Sequence, residues 1–283
     1  MDQLTPSDAS PDAIEQPPPR RRRFKAVPIR IILPNLVTLL ALCMGLTAIR
    51  FAIEGRFQTA VYAIVAAAIL DGLDGRIARA LKGTSRFGAE LDSLADFVDF
   101  GVAPALILYM WNLHEIKSLG WFAALVFATA AALRLARFNT MIDDPDRPAW
   151  TANFFVGMPA PAGACLALLP LYLSLSELGL PAGKAYAPWH IAFLLFVAFL
   201  MASRIPHYSG KKIGRVPREY VVFVLFGVAA VLLLLATYPM EMLAALCVVY
   251  LALIPFSVRR HNRYLAEDEA AAKAAAAAPP AAP

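Results

Sequence analysis

Charged side chains are scarce in this chain of 283 residues: Asp, Glu, Lys and Arg make up 17% of it, against roughly a quarter in an ordinary soluble domain. With 59% of residues hydrophobic and a mean hydropathy of +0.59, no single aqueous core would hide the apolar surface. That argues against a soluble enzyme and against a disordered regulator. Cysteine is scarce too. Cys43, Cys165 and Cys247 each lie inside an apolar stretch, so a disulfide framework is not expected. No internal repeat is visible, which argues against a transporter of the inverted-repeat type. No short apolar run ends in a small-residue cleavage pattern, which argues against a signal peptide. The basic balance, net charge +5 and pI about 9.2, fits loops facing anionic lipid headgroups. No nucleic-acid partner is expected.

What is abundant is apolar sequence in long runs. A spanning helix needs about 20 such residues, and eight segments approach that: 31–53, 58–81, 90–110, 119–141, 156–177, 190–204, 219–237 and 242–257. The expected fold is an all-α polytopic membrane protein. Residues 1–30 form a basic, Pro-rich tail and 259–283 a basic and then Ala/Pro-rich tail; 1–30 and 265–283 are read as disordered or frayed because neither has an apolar face to bury. With the N-terminus inside, all of the 26 Lys and Arg residues except Arg50, Arg56, Lys117 and Lys184 fall on one side. This bias predicts both termini in the cytoplasm.

The informative stretch runs Asp71-x2-Asp74-Gly75-x2-Ala78-Arg79-x8-Gly88-x3-Asp92-x3-Asp96. On helices, Asp71 and Asp74 share a face one turn apart, and so do Asp92 and Asp96. Each Asp near a membrane helix centre costs about 2.5–3.5 kcal/mol to insert, so four together need compensation. One or two hard divalent cations with oxygen ligands would supply it; ion pairs to Arg76, Arg79 or Arg86, or protonation, are the alternatives. Gly72 and Gly75 each cost about 1 kcal/mol relative to Ala in a helix, so a close approach to the backbone is expected there. With Ala78 they form a small-residue stripe suited to a flat base, a diphosphate or another helix. Arg79 and Ser85 are placed to meet a phosphate, and Asn35 and Thr38 to reach the same phosphate or a metal-bound water from the first span. Pro34 would start that span.

The complete pattern from Asp71 to Asp96 resembles the signature of the CDP-alcohol phosphotransferase family, whose members transfer a phosphatidyl or similar group from a CDP-linked donor to an alcohol and release CMP. The resemblance implies a six-helix catalytic core over 31–205, with 206–258 adding a basic loop and two further spans. It implies that Asp71, Asp74, Asp92 and Asp96 bind two divalent cations, Mg²⁺ or Mn²⁺, and that Asp96 is the general base. It places Pro34, Asn35, Thr38, Gly75, Ala78, Arg79, Ser85 and Gly88 at the donor. A homodimer in the bacterial inner (cytoplasmic) membrane, with the site on the cytoplasmic side, follows from the same likeness.

Companion segments narrow the acceptor. Pro34-Asn35-Leu36-Val37-Thr38, Arg134-Leu135-Ala136-Arg137-Phe138-Asn139, Gly157-Met158-Pro159 and Ser203-Arg204-Ile205-Pro206 are similar to those of bacterial members using CDP-diacylglycerol and L-serine. Arg134, Arg137 and Arg204 are candidates to hold the serine carboxylate, although basic residues at helix ends also follow from topology alone. Asp99 is an extra acid, read as filling a polar gap between helices. His114, His190, His207 and His261 share no motif and are read as surface or interfacial. Glycerol 3-phosphate, inositol phosphate or choline as acceptor, or a cation or proton transporter using the intramembrane acids, are the competing readings.

Overall fold

The computed structural model describes residues 29–142, 154–208 and 218–277. Most of the N-terminal tail, residues 143–153, the basic loop at 209–217 and the last six residues lie outside the described part. The element order is α1 (Ile29–Ile53), α2 (Phe57–Ala80), α3 (Arg86–Asp96), a π turn (Phe97–Val102), α4 (Ala103–Trp111), α5 (Lys117–Ile142), β1 (Phe154–Val156), α6 (Ala160–Ala167), α7 (Leu169–Leu175), α8 (Ala187–Ala202), β2 (Pro206–Tyr208), α9 (Val221–Thr237) and α10 (Pro239–Ala277). Among the described residues, Ile29–Ile53, Arg86–Trp111, Leu113–Met141 and Pro239–Glu267 are long and apolar enough to cross a membrane. Shorter apolar helices cover Ala187–Ala202 and Val221–Thr237. The protein is an all-α polytopic membrane protein. At 24 residues α2 has the length of a span, but the charged motif at its end dilutes its hydropathy.

Helix packing rests on small residues. In α1 the buried positions are Pro34, Thr38, Ala41, Gly45, Ala48 and Ala52, alternating by four and three residues, the spacing of a left-handed crossing. They meet Ala60, Val61, Ala63, Ile64 and Ala67 of α2, and the intervening leucines of α1, such as Leu36 and Leu40, stay exposed toward lipid. Gly45 is needed there because a Cβ would overlap the Asp99 carboxylate. Asp99 thus sits in the contact between α1 and the π turn, 1% exposed and with Oδ1 unpartnered among the described residues. The wide turn immediately precedes Pro104, whose missing N–H removes an α-type bond to Phe100, while the Ala103 N–H reaches back to Val98. Gly45→Ala is therefore expected to lower the thermal stability of the purified protein by about 1–3 kcal/mol, the range for overpacking. Asp99→Ser in the same chain should restore most of it, and a Gly45→Ala chain as stable as wild type would refute the contact.

Several sequence-based boundaries are corrected. Pro34 lies inside α1, which starts at Ile29. The third span begins at Arg86 because Ser85 caps it, its Oγ accepting from the Gly88 N–H at 3.0 Å. The fifth span is two short helices: Pro170 cannot bond to Leu166, and the helix is interrupted at Leu168. Its first residues are not helical, since β1 pairs antiparallel with β2, Phe155 opposite His207. The sixth span ends at Ala202, leaving Arg204 beyond it. The last helix does not stop at Ser257 but runs to Ala277, through much of the tail read as disordered.

The ends of α2, α5 and α8 and the start of α3 share one end of the bundle. Ser93 of α3 bonds to Asn139 of α5. The Arg137 guanidinium donates to the Ala202 and Ser203 carbonyls at 2.9 and 3.1 Å, satisfying the last turn of α8. The β1–β2 pair and Ser257 of α10, whose hydroxyl donates to the Pro206 carbonyl at 2.8 Å, close the same end.

Candidate active site

α2 ends in a Schellman turn, with the Gly83 N–H donating to the Ala78 carbonyl at 2.9 Å and Lys82 at a φ of 50°. Ser85 then starts α3 at once. This short reversal sets the acidic face of α2 against the acidic face of α3. Oxygens of Asp71, Asp74 and Asp92 all lie within 4.8 Å of one another. Asp96 joins them, its carboxyl interacting with that of Asp71. The Thr38 hydroxyl lies 2.6 Å from Asp74 Oδ2 and 3.1 Å from the Pro34 carbonyl, so the carboxylate is its closer acceptor and α1 is tied to the cluster.

These acids have no Lys or Arg partner at ion-pair distance among the described residues. The ion pairs lie elsewhere, at Glu54 with Arg50 and Arg56, His114 with Glu115, and Arg263 with Glu267. Three converging carboxylates in a low-dielectric bundle repel one another unless a cation lies between them. An all-oxygen set suits a hard divalent ion. The residues present therefore fit a divalent metal, with Asp71, Asp74 and Asp92 as its ligands and Thr38 orienting Asp74.

Beside the triad opens a cleft of about 450 Å³. All eight residues expected at the donor, Pro34, Asn35, Thr38, Gly75, Ala78, Arg79, Ser85 and Gly88, line it, together with Asp74 and Asp92. Gly83, Thr84 and Ala89 also line it, and sequence reasoning missed them although they adjoin the motif. α1 and α3 meet closely at Gly88: a Cβ there would lie 2.8 Å from Asn35 Oδ1 and 3.1 Å from Ser85 Oγ. The Arg79 guanidinium folds back over Gly75, its Nη1 3.4 Å from where a Cβ would stand. The cleft thus joins a positive group and three hydroxyls, those of Thr38, Thr84 and Ser85, to an acidic floor, a pairing suited to a phosphate-bearing ligand held through a metal.

The three arginines proposed for the acceptor separate. Arg134 is 7% exposed and interacts electrostatically with Asp96, Tyr250 and Asp71, its guanidinium 5.4 Å from the Phe138 ring centroid. Arg137 is engaged with the end of α8, and Arg204 is exposed beyond that helix. The histidines also separate. His190 bonds to Asn112 at 2.7 Å and stacks on Trp111. His207 is not at the surface: it is 2% exposed, with Nδ1 2.9 Å from the Tyr250 hydroxyl. Its burial comes from the β1–β2 pairing and from α10, contacts remote in sequence that no local pattern announces.

A family model described as CDP-alcohol phosphatidyltransferase matches residues 31–202, and a second, CDP-alcohol phosphatidyltransferase 2, matches residues 219–255. The chain is 43% identical over 254 residues to a protein of Mycobacterium leprae (strain TN), covering 89% of this chain and 82% of that one. It is 42% identical over 239 residues to one of Mycobacterium tuberculosis (strain ATCC 25618 / H37Rv), covering 83% and 81%. The likeness to one of Helicobacter pylori (strain ATCC 700392 / 26695) is 34% over 220 residues, covering 78% and 88%. All three relatives are named CDP-diacylglycerol–serine O-phosphatidyltransferase. With the acidic motif folded into one cluster and a matching model spanning the helices that carry it, this chain belongs to the CDP-alcohol phosphatidyltransferase family.

Proposed function

We propose that the protein transfers the phosphatidyl group of CDP-diacylglycerol to L-serine, giving phosphatidylserine and CMP. The observation that carries this reading is the convergence of Asp71, Asp74 and Asp92 beside a cleft lined by the rest of the motif, in a chain whose relatives bear that name. Asp71, Asp74, Asp92 and Asp96 would hold two divalent cations, Mg²⁺ or Mn²⁺, whose chemistry is to offset the diphosphate charge and stabilise the CMP leaving group. Arg79, Ser85 and Asn35 hold the donor's phosphates and nucleotide against the floor of the cleft, and Gly75, Ala78 and Gly88 leave room for them. Asp96 takes the proton of the serine hydroxyl as its oxygen bonds to the β-phosphorus and the bond from that phosphorus to the CMP oxygen breaks. Arg134 holds the serine carboxylate through its planar fork. Arg137 fixes the end of α8, and Arg204 lies at the mouth.

The one-sided distribution of Lys and Arg supports an inner-membrane protein with both termini and the site on the cytoplasmic side, where serine is available. A second copy of the chain is the proposed partner. The decisive experiment incubates purified protein with CDP-diacylglycerol, Mg²⁺ or Mn²⁺ and, separately, serine, glycerol 3-phosphate, inositol phosphate and choline. CMP release with serine is expected, and release only with another alcohol would overturn the reading. In the same assay Arg134→Lys, which keeps the charge and loses the fork, should raise the KM for serine by about ten- to a hundredfold, the worth of a charge-assisted hydrogen bond.

A further inference from the structure

Asn139 closes the segment Arg134–Asn139 near the end of α5, and it does not line the donor cleft. Its partner is Ser93, the residue that follows Asp92 in α3. Asn139 Nδ2 donates to Ser93 Oγ at 3.0 Å. A serine hydroxyl carries one proton, and that of Ser93 goes either to Asn139 Oδ1 at 3.2 Å or to the Ala89 carbonyl of its own helix at 3.1 Å. In both arrangements the bond from Asn139 stands.

α3 needs such a tie. Ala95 is its only buried residue, and Phe87 and Leu94 are exposed, so apolar packing does little to fix how this helix is turned about its own axis. That turn decides whether Asp92 meets Asp71 and Asp74 of α2. At about 100° per residue, Ser93 flanks the line from Asp92 to Asp96, and a rotation that swings the acids away from α2 also pulls Ser93 from Asn139. The anchor at the other end is firm. Two residues before Asn139, Arg137 donates to the Ala202 and Ser203 carbonyls. The residues that follow are held in turn, the Ile205 carbonyl by the Gly157 N–H at 3.0 Å and the Pro206 carbonyl by the Ser257 hydroxyl at 2.8 Å. The last turn of α5 is thus braced by α8, the strand pair and α10 on one side, and it reaches α3 on the other.

We propose that Asn139 is a positioning residue: by holding Ser93 it sets the rotation of α3 and the place of Asp92 in the acidic cluster, so that affinity for a divalent cation depends on the far end of α5. This rests on the acids holding such a cation. The test titrates Mg²⁺ and, separately, Mn²⁺ into full-length wild type, Ser93→Ala, Asn139→Ala and the double variant, and follows the melting temperature. In each single variant the metal concentration that gives a fixed rise should be about three- to tenfold higher, the worth of one interhelical hydrogen bond in a membrane. The double variant should need no more metal than either single one, since both remove the same bond. Ser93→Ala separates positioning from stability, because Ala is the better helix former and α3 itself is not weakened. Wild-type metal dependence in either single variant overturns the proposal, whatever happens to its metal-free melting temperature. So do shifts that add in the double variant, which would mark two independent effects. A wild type whose melting temperature ignores both metals removes the metal reading and this proposal with it; a wild type that responds, with variants that respond alike, removes this proposal alone.

Discussion

Asp96→Asn is expected to cut serine-dependent CMP release by about 10²–10⁴-fold, the contribution of a positioned general base. The substitution keeps the size of the side chain and its place beside Asp71, and it removes the group proposed to accept the proton. Insertion into the membrane and thermal stability should be preserved, since an amide is cheaper to bury than a carboxylate. Binding of CDP-diacylglycerol should fall less than turnover, because Asp71, Asp74 and Asp92 remain to hold a cation and Asp96 does not line the cleft. Near-normal turnover in a well-folded Asp96→Asn protein would remove this residue as the base.

Stripping divalent metal should be as severe. Dialysis against a chelator is expected to reduce activity to background, with Mg²⁺ or Mn²⁺ restoring it, and full activity in the chelated protein would exclude the metal reading. The ligand set makes a second readout independent of turnover. Carboxylates that repel one another without a cation are stabilised when one binds, so the melting temperature should rise with metal concentration. Asp92→Ala should abolish both the activity and this rise. Thr38→Val should act more mildly: it removes the hydroxyl that donates to Asp74 at 2.6 Å and keeps the carboxylate. Losing such an outer partner costs about 10–100-fold in metal affinity, so the half-maximal metal concentration should shift by that factor while added metal restores the rate.

The parts of this protein that are legible in its sequence are those encoded locally. The acids stand one helical turn apart on either side of a short reversal, and that spacing alone brings Asp71, Asp74 and Asp92 together. The donor cleft is legible for the same reason, since most of its lining lies within or beside the motif. The packing face of α1 is not. In water a buried face is betrayed by its hydrophobicity, whereas in lipid both faces are apolar and the difference is size: Ala41, Gly45, Ala48 and Ala52 go inside and the leucines outside. The break at Leu168 has a local cause in Pro170, but a continuous apolar run conceals it. His207 and Tyr250 are 43 residues apart, so neither carries any trace of the other in its own surroundings.

α9 buries none of its side chains. Between Val221 and Thr237 only Leu235 is partly buried against the core, so the thickness of the hydrocarbon around the helix sets its position more than any surface of the protein does. Its task is transport of the chain: it carries the polypeptide from the end where α8 finishes to the far side, so that α10 can return with Tyr250 and Ser257 level with β2. A segment with that task is interchangeable. Any apolar helix of the same length, Leu-rich and unrelated in sequence, should serve in its place, while shortening it by a turn would leave α10 out of register with the strand it meets.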